Sequence, residues 1–169
     1  MQAKISALGL DIGKKRIGVA GCDGTGLIAT GLTTIVRTSF AADVASLQAI
    51  IQERQAQILV VGLPYTMNGE LGFQAKQVQK ISHRLAQALN LPWEYIDERL
   101  TSIEAEQLVG KQQKSPIYDK GIIDRHAAAL ILQRWLDARR TALQVLDAPI
   151  TWQLLKNRTA SRDILKADK

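Results

Sequence analysis

Apolar residues fall first into short runs between polar turns, then into longer stretches at helical spacing. Residues 5–11 alternate small and large apolar side chains and end on an acid, the pattern of a buried strand. Gly13-Lys14-Lys15 is a tight polar turn. Residues 16–21 form a second predicted strand, Asp23-Gly24-Thr25-Gly26 a second turn, and residues 27–36 a third strand. Connections this short predict an antiparallel meander. Val44, Leu47, Ile50 and Ile51 predict an amphipathic helix over 39–54. The unbroken apolar run 58–62 suits a strand of a covered parallel sheet. Residues 63–72 break every period.

Helical spacing returns over 73–89, with Val78, Ile81, Leu85 and Leu89 on one stripe and Asn90 and Pro92 as the stop. Residues 93–97 predict a fifth strand. Thr101-Ser102-Ile103-Glu104 is a capping box opening a helix to about Val109. A polar, basic loop over 110–120 leads to the last long helix, 122–138, with Asp124, Ala128, Ile131 and Trp135 on one face and Asp124 in its first turn. The order β-β-β-α-β-α-β-α-α predicts an α/β fold, a mixed sheet with helices on both faces. Periodicity weakens after about Arg140. The reading is therefore a domain over 1–140 and a C-terminal basic tail or arm over 141–169.

The chain's 169 residues, 46% of them hydrophobic, can build one sizeable core. A lone cysteine, Cys22, excludes an internal disulfide framework and a cysteine-cluster zinc site, and it reads as a small buried hydrophobe. No apolar run approaches the ~20 residues of a membrane span, and the N-terminal stretch lacks a signal-peptide layout. A cytoplasmic protein is expected. The formal charge of +6 suggests a polyanionic partner. It is unevenly spread: from Arg139 onward seven basic residues face three acids, whereas residues 1–138 carry fifteen against thirteen. An RNA-tethering arm over 141–169 is the corresponding hypothesis.

Candidate chemistry rests on acids with apolar neighbours. Asp11 ends the first strand, Asp97 and Glu98 end the fifth, and Asp124 lies on the apolar face of the last helix. A carboxylate beside a core needs a partner. The C-terminal ends of parallel strands emerge at one edge, where open α/β sheets place their ligand sites. Carboxylates gathered there repel one another unless a cation sits among them, and hard divalent ions such as Mg²⁺ or Mn²⁺ suit their oxygens. Paired ions of this kind serve phosphodiester hydrolysis. Taken singly, the same acids also read as a strand-end turn, a helix-dipole acid and a salt bridge to Arg99. Asp11-x-Gly-x-x-x-x-Gly18 also resembles the phosphate loop of actin and sugar-kinase ATPases, but those enclose a nucleotide between two domains.

Four stretches together are similar to the motifs of the YqgF (RuvX-like) family of pre-16S rRNA nucleases: Gly9 to Ala20, Val61-Gly62-Leu63-Pro64-Tyr65-Thr66-Met67-Asn68-Gly69, Asp97-Glu98-Arg99-Leu100-Thr101-Ser102, and Lys120 to Leu132. The resemblance spans about residues 4–138. It implies an RNase H-like fold related to Holliday-junction resolvases, metal-dependent phosphodiester hydrolysis, and maturation of the 5′ end of small-subunit ribosomal RNA. The sheet order expected is 3-2-1-4-5. By motif, Asp11 and Asp124 become the first and last catalytic, metal-binding acids. The middle one is Glu98 or Asp97; alternation lets only one face the site, and Glu98 is preferred.

Lys14, Lys15, Arg16, Asn68, Arg99 and Lys120 are the expected nucleic-acid contacts, with Lys111 and Lys114 in the same basic loop. As ordinary structure they read as a solvated turn, a turn residue, a strand-end ion pair and a solvated loop. His126 follows Asp124 by two residues and points about 200° away on a helix, so it is not counted as a ligand. His83 reads as surface, and Trp93, Tyr95 and Trp135 as sheet cover. The expected partner is RNA, either precursor rRNA or the small ribosomal subunit, with branched DNA as the alternative substrate. A non-catalytic RNA-binding assembly factor is the alternative from another class. Monomer and homodimer both remain open.

Overall fold

The computed structural model describes residues 4–99 and 120–147. Strands β1 (Ala7–Ile12), β2 (Arg16–Cys22) and β3 (Ala29–Val36) are followed by α1 (Phe40–Arg54), β4 (Ile58–Leu63), α2 (Phe73–Leu89), β5 (Trp93–Asp97) and a long helix, α3 (Lys120–Asp147). The sheet order is β3-β2-β1-β4-β5, as expected. β1, β2 and β3 pair antiparallel, whereas β1–β4 and β4–β5 are parallel. The C-terminal ends of β1, β4 and β5 therefore share one edge.

Period-two alternation sorts the strand side chains onto two faces. Leu8, Leu10 and Ile12 of β1, with Leu59, Val61 and Leu63 of β4, join Leu47 and Ile51 of α1 and Val78, Leu85 and Leu89 of α2 in one core. Ala7, Ala20, Cys22 and Val60 join Ala128, Ile131, Leu132, Trp135 and Leu136 of α3 in the other. The α3 face is floored with small residues. Gly9, Gly18, Gly31 and Gly62, one from each of four strands, lie where a Cβ would overlap α3 or its neighbours: Ala128 O and Leu132 Cβ at Gly9, the Asp124 carbonyl at Gly18, Arg125 at Gly31, and Glu98 Oε1 with Ile131 Cδ1 at Gly62. The helix thus rests on backbone.

Local chemistry sets the element ends. Ser39 caps α1 by accepting from Ala42 N at 3.2 Å. Asn90 ends α2 in the left-handed conformation with φ 52°. β3 starts two residues later than its apolar run suggests, because Asp23 Oδ1 accepts from the amides of Leu27 and Ile28 at 2.9 and 3.2 Å and holds them in the turn. Cys22 is buried, as read, with Ala7 N donating to its Sγ at 3.3 Å. Trp135 Nε1 donates to Glu94 at 2.6 Å, and Tyr95 and Ser82 hydroxyls lie 2.9 Å apart, so these aromatics cover the sheet.

Two expectations need correction. α3 is already helical at Lys120 rather than opening at 122, so Lys120 is helical and exposed and Asp124 lies beyond the first turn. The helix also continues to Asp147. Its last turns expose Val145 and Leu146, so favourable helix formers extend it without the buried stripe that periodicity detects. The chain divides into compact units Met1–Ala138 and Arg139–Lys169. The expected capping-box helix at 101–109 and basic loop, with Lys111 and Lys114, lie outside the described residues. No described helix is long and apolar enough to cross a membrane.

Candidate active site

The shared C-terminal edge carries the acids. Asp11 lies opposite Gly18 in the β1–β2 ladder, on the α3 face with Gly9. β5 turns Asp97 and Glu98 to opposite faces of the sheet. Glu94 and Ile96 face α3, through Trp135 and the second core, while Trp93 and Tyr95 pack on the opposite core. The ladder continues one residue past β5, with Glu98 N donating to Leu63 O at 3.1 Å. The same alternation then turns Glu98 toward α3 and Asp97 away. Glu98 passes over Gly62 of the intervening strand, where a Cβ would collide with its Oε1, and shares a hydrogen bond with Asp11.

This pair is electrostatically unusual. Burial, then the charge of Asp124, push the Asp11 pKa up to about 6. Burial, then the charge of Asp11, push Glu98 up to about 7. A hydrogen bond between two carboxyls needs a proton on one of them, so the pair as a unit holds a proton above the usual carboxylate range. Asp97 behaves oppositely. Arg99 grips it through Nε at 3.1 and 3.0 Å and Nη2 at 2.6 Å, and its backbone amide donates to Oδ1 at 3.0 Å. These bonds hold the Asp97 carboxyl below the usual carboxylate range.

Asp124 is close enough to raise Asp11, yet its Oδ2 accepts from Arg16 Nε at 2.5 Å. Arg16 and Asp124 are partly exposed, with side-chain accessibilities of 33% and 20%. The structure therefore brings Asp11 and Glu98 together and places Asp124 beside them on an arginine. Among the described residues, no three His, Cys, Asp or Glu side chains stand at spacing ready to hold a metal ion. The donor chemistry nonetheless fits a hard divalent cation: all three candidates are carboxylates, and burial together with mutual repulsion raises the pKa of two of them.

The remaining candidates ring this edge. Lys14 and Lys15 are exposed in the turn after Asp11. Asn68 is exposed in the loop after β4, whose shape is set by Gly69 at φ 80° and by Thr66–Glu70 hydrogen bonds. Arg99, besides holding Asp97, lies 5.5 Å from the Tyr65 ring centroid and beside Gly69, tying the loop after β4 to the end of β5. His126 lines a groove between β3 and α3 with Thr30 and Gln133, apart from the acids. His83 makes an edge contact with Trp93 at 5.4 Å.

Asp43 escaped the sequence reading. It is 1% exposed, and Arg37 Nε donates to its Oδ2 at 2.9 Å. Arg37 also donates through Nη1 to Gly13 O at 2.9 Å, while its amide donates to Lys15 O at 2.9 Å. The pair thereby clamps the turn that follows Asp11. An acid four residues after a capping serine looks like a helix-dipole residue; only Arg37, just past β3 and six residues earlier, hinted otherwise.

A five-stranded mixed sheet in this order, covered on both faces and bearing carboxylates at the edge of its parallel strands, is the RNase H-like arrangement. "T. thermophilus RuvC in complex with Holliday junction substrate" shares it, with a TM-score of 0.51 and 14% identity over 81% of this chain and 96% of that one. At that identity the likeness is one of fold. Closer kinship comes from sequence: residues 5–138 match the RuvX family, described as Holliday junction resolvase, and the chain belongs to that family. Among its relatives, proteins named "Putative pre-16S rRNA nuclease" are 69% identical over 137 residues in Rippkaea orientalis (81% of this chain, 99% of that protein) and 66% identical over 144 residues in Trichormus variabilis (85% and 95%). The Synechocystis relative of that name is 60% identical over 144 residues, 85% of this chain and 95% of that protein.

Proposed function

We propose that this protein is a nuclease that hydrolyses phosphodiester bonds in RNA, with the 5′ region of precursor 16S rRNA as substrate in the cytoplasm. The names of its relatives support the substrate. The observation that carries the chemistry is Glu98 crossing Gly62 to hydrogen-bond Asp11, with Asp124 alongside. Asp11, Glu98 and Asp124 would hold Mg²⁺ or Mn²⁺, which supplies charge neutralisation at the scissile phosphate and acidifies water. Lys14, Lys15, Arg16, Asn68, Arg99 and Lys120 would hold the nucleic-acid backbone on either side.

The test is hydrolysis of a labelled pre-rRNA leader with Mn²⁺ or Mg²⁺ by the native protein and by Asp11→Asn. Cleavage by the former and a loss of at least about 100-fold in the latter is expected, the scale of removing one transition-state contact. Equal cutting by both overturns the mechanism. A four-way DNA junction run in parallel covers the activity in the family's description; preference for the junction would replace the RNA assignment. RNA binding without cleavage would leave an assembly factor.

A further inference from the structure

Arg16 has a position that phosphate binding alone does not explain. It leaves β2 on the α3 face and puts Nε 2.5 Å from Asp124 Oδ2, so the acid that should complete the carboxylate cluster is held by a cation of the protein itself. The two backbones are fixed against each other, because Gly18, two residues along β2, lies directly under the Asp124 carbonyl. Only the side chains are free to re-pair. Arg16 is one-third exposed and follows the exposed Lys14-Lys15 turn, so an incoming phosphate can reach its guanidinium. Arginine binds carboxylate and phosphate through the same planar fork.

We propose that Arg16 is a positioning residue that exchanges partners: it neutralises Asp124 until a nucleic-acid phosphate engages the guanidinium, and then releases Asp124 to complete the divalent-cation site. This inference deepens the nuclease reading and rests on it. No covalent bond changes in the exchange. One ion pair, Arg16–Asp124, is replaced by Arg16–phosphate and Asp124–cation. Thermodynamic reciprocity then requires the phosphate chain and the cation each to tighten the other's binding by the same factor.

The experiment measures Mn²⁺ affinity of the full chain by calorimetry and by electron paramagnetic resonance, with and without a phosphorothioate oligoribonucleotide hairpin that resists cleavage. In the native protein the hairpin should tighten Mn²⁺ binding by about tenfold, within the usual range of coupling between sites. In Arg16→Met, Mn²⁺ alone should already bind about tenfold more tightly than in the native protein, and the hairpin should add little. A merely structural arginine would weaken Mn²⁺ binding when removed. Absence of coupling in the native protein overturns the proposal without any variant, as does an Arg16→Met protein that melts like the native one yet binds Mn²⁺ no better. Failure of the native protein to bind Mn²⁺ at all overturns the nuclease reading as well; Mn²⁺ binding that is lost in Asp11→Asn but uncoupled from RNA overturns only the exchange.

Discussion

The buried, hydrogen-bonded pair Asp11–Glu98 makes a residue-scale prediction with a defined sign. Both carboxyls have folded-state pKa values raised, to about 6 and about 7, above the ordinary carboxylate range near 4. The folded state thus binds more protons than the unfolded one across that window. Its stability from this pair is intact below about pH 4 and is lost as pH rises through 6 and 7. Asp11→Asn removes the repulsion. At pH 8 it should be more stable than the native protein by about 2 kcal/mol, allowing for partial exposure, or roughly 4–8 °C in Tm for a chain of this size. At pH 4.5 the advantage should disappear. Thermal melts of both proteins at the two pH values, without divalent ions, check this; equal Tm at pH 8 would refute the shared proton.

At the scale of elements, the seating of α3 is testable. Gly18→Ala drives a methyl into the Asp124 carbonyl, an atom that cannot rotate aside. It should cost about 1–3 kcal/mol through overpacking and lower Tm by roughly 2–12 °C. Gly24→Ala, with open space around its Cα, serves as the matched control and should change Tm by less than about 2 °C. The strands, and the antiparallel run of the first three, were legible because alternation and short turns leave few topologies; the sheet order came with the family resemblance. The facing of Glu98 was not legible. Trp93-Glu94-Tyr95-Ile96 is amphipathic on both parities, and only knowing that Trp135 binds Glu94 assigns the faces. Arg16 read as a phosphate contact because its partner lies 108 residues away. Asp43 was hidden although its partner Arg37 is only six residues away, because an acid in the first turn of a helix is ordinary; the end of α3 was hidden because its last turns bury no stripe.

For the whole molecule, the distribution of charge separates two jobs. The family match ends at residue 138, and the part beyond holds a surplus of four positive charges, against two for the rest. Our proposal is that residues 141–169 act as an RNA-tethering arm. Deleting them removes five of those basic residues, Lys156, Arg158, Arg162, Lys166 and Lys169. The truncated protein should bind the pre-rRNA leader more weakly and with a shallower dependence of log affinity on log salt, since fewer counterions are released. Filter binding at several salt concentrations measures both quantities; an unchanged slope would dismiss the arm. Its cleavage rate at saturating RNA should be unchanged, because Asp11, Glu98 and Asp124 all lie within residues 1–138.

Gly9, Gly18 and Gly31, which meet carbonyls of α3, bear on the selectivity of the proposed site. Side-chain spacers between a helix and a sheet can change rotamer and let the gap breathe; carbonyls resting on glycine have no such freedom. The height of Asp124 above β1 and β2 is therefore fixed with the stiffness of main chain. Discrimination between Mg²⁺ and the larger Ca²⁺ depends on a frame that does not yield to ionic radius. A helix seated on bare backbone would be such a frame for the cation proposed above, with the least reactive residue type in the chain as the gauge of the cleft.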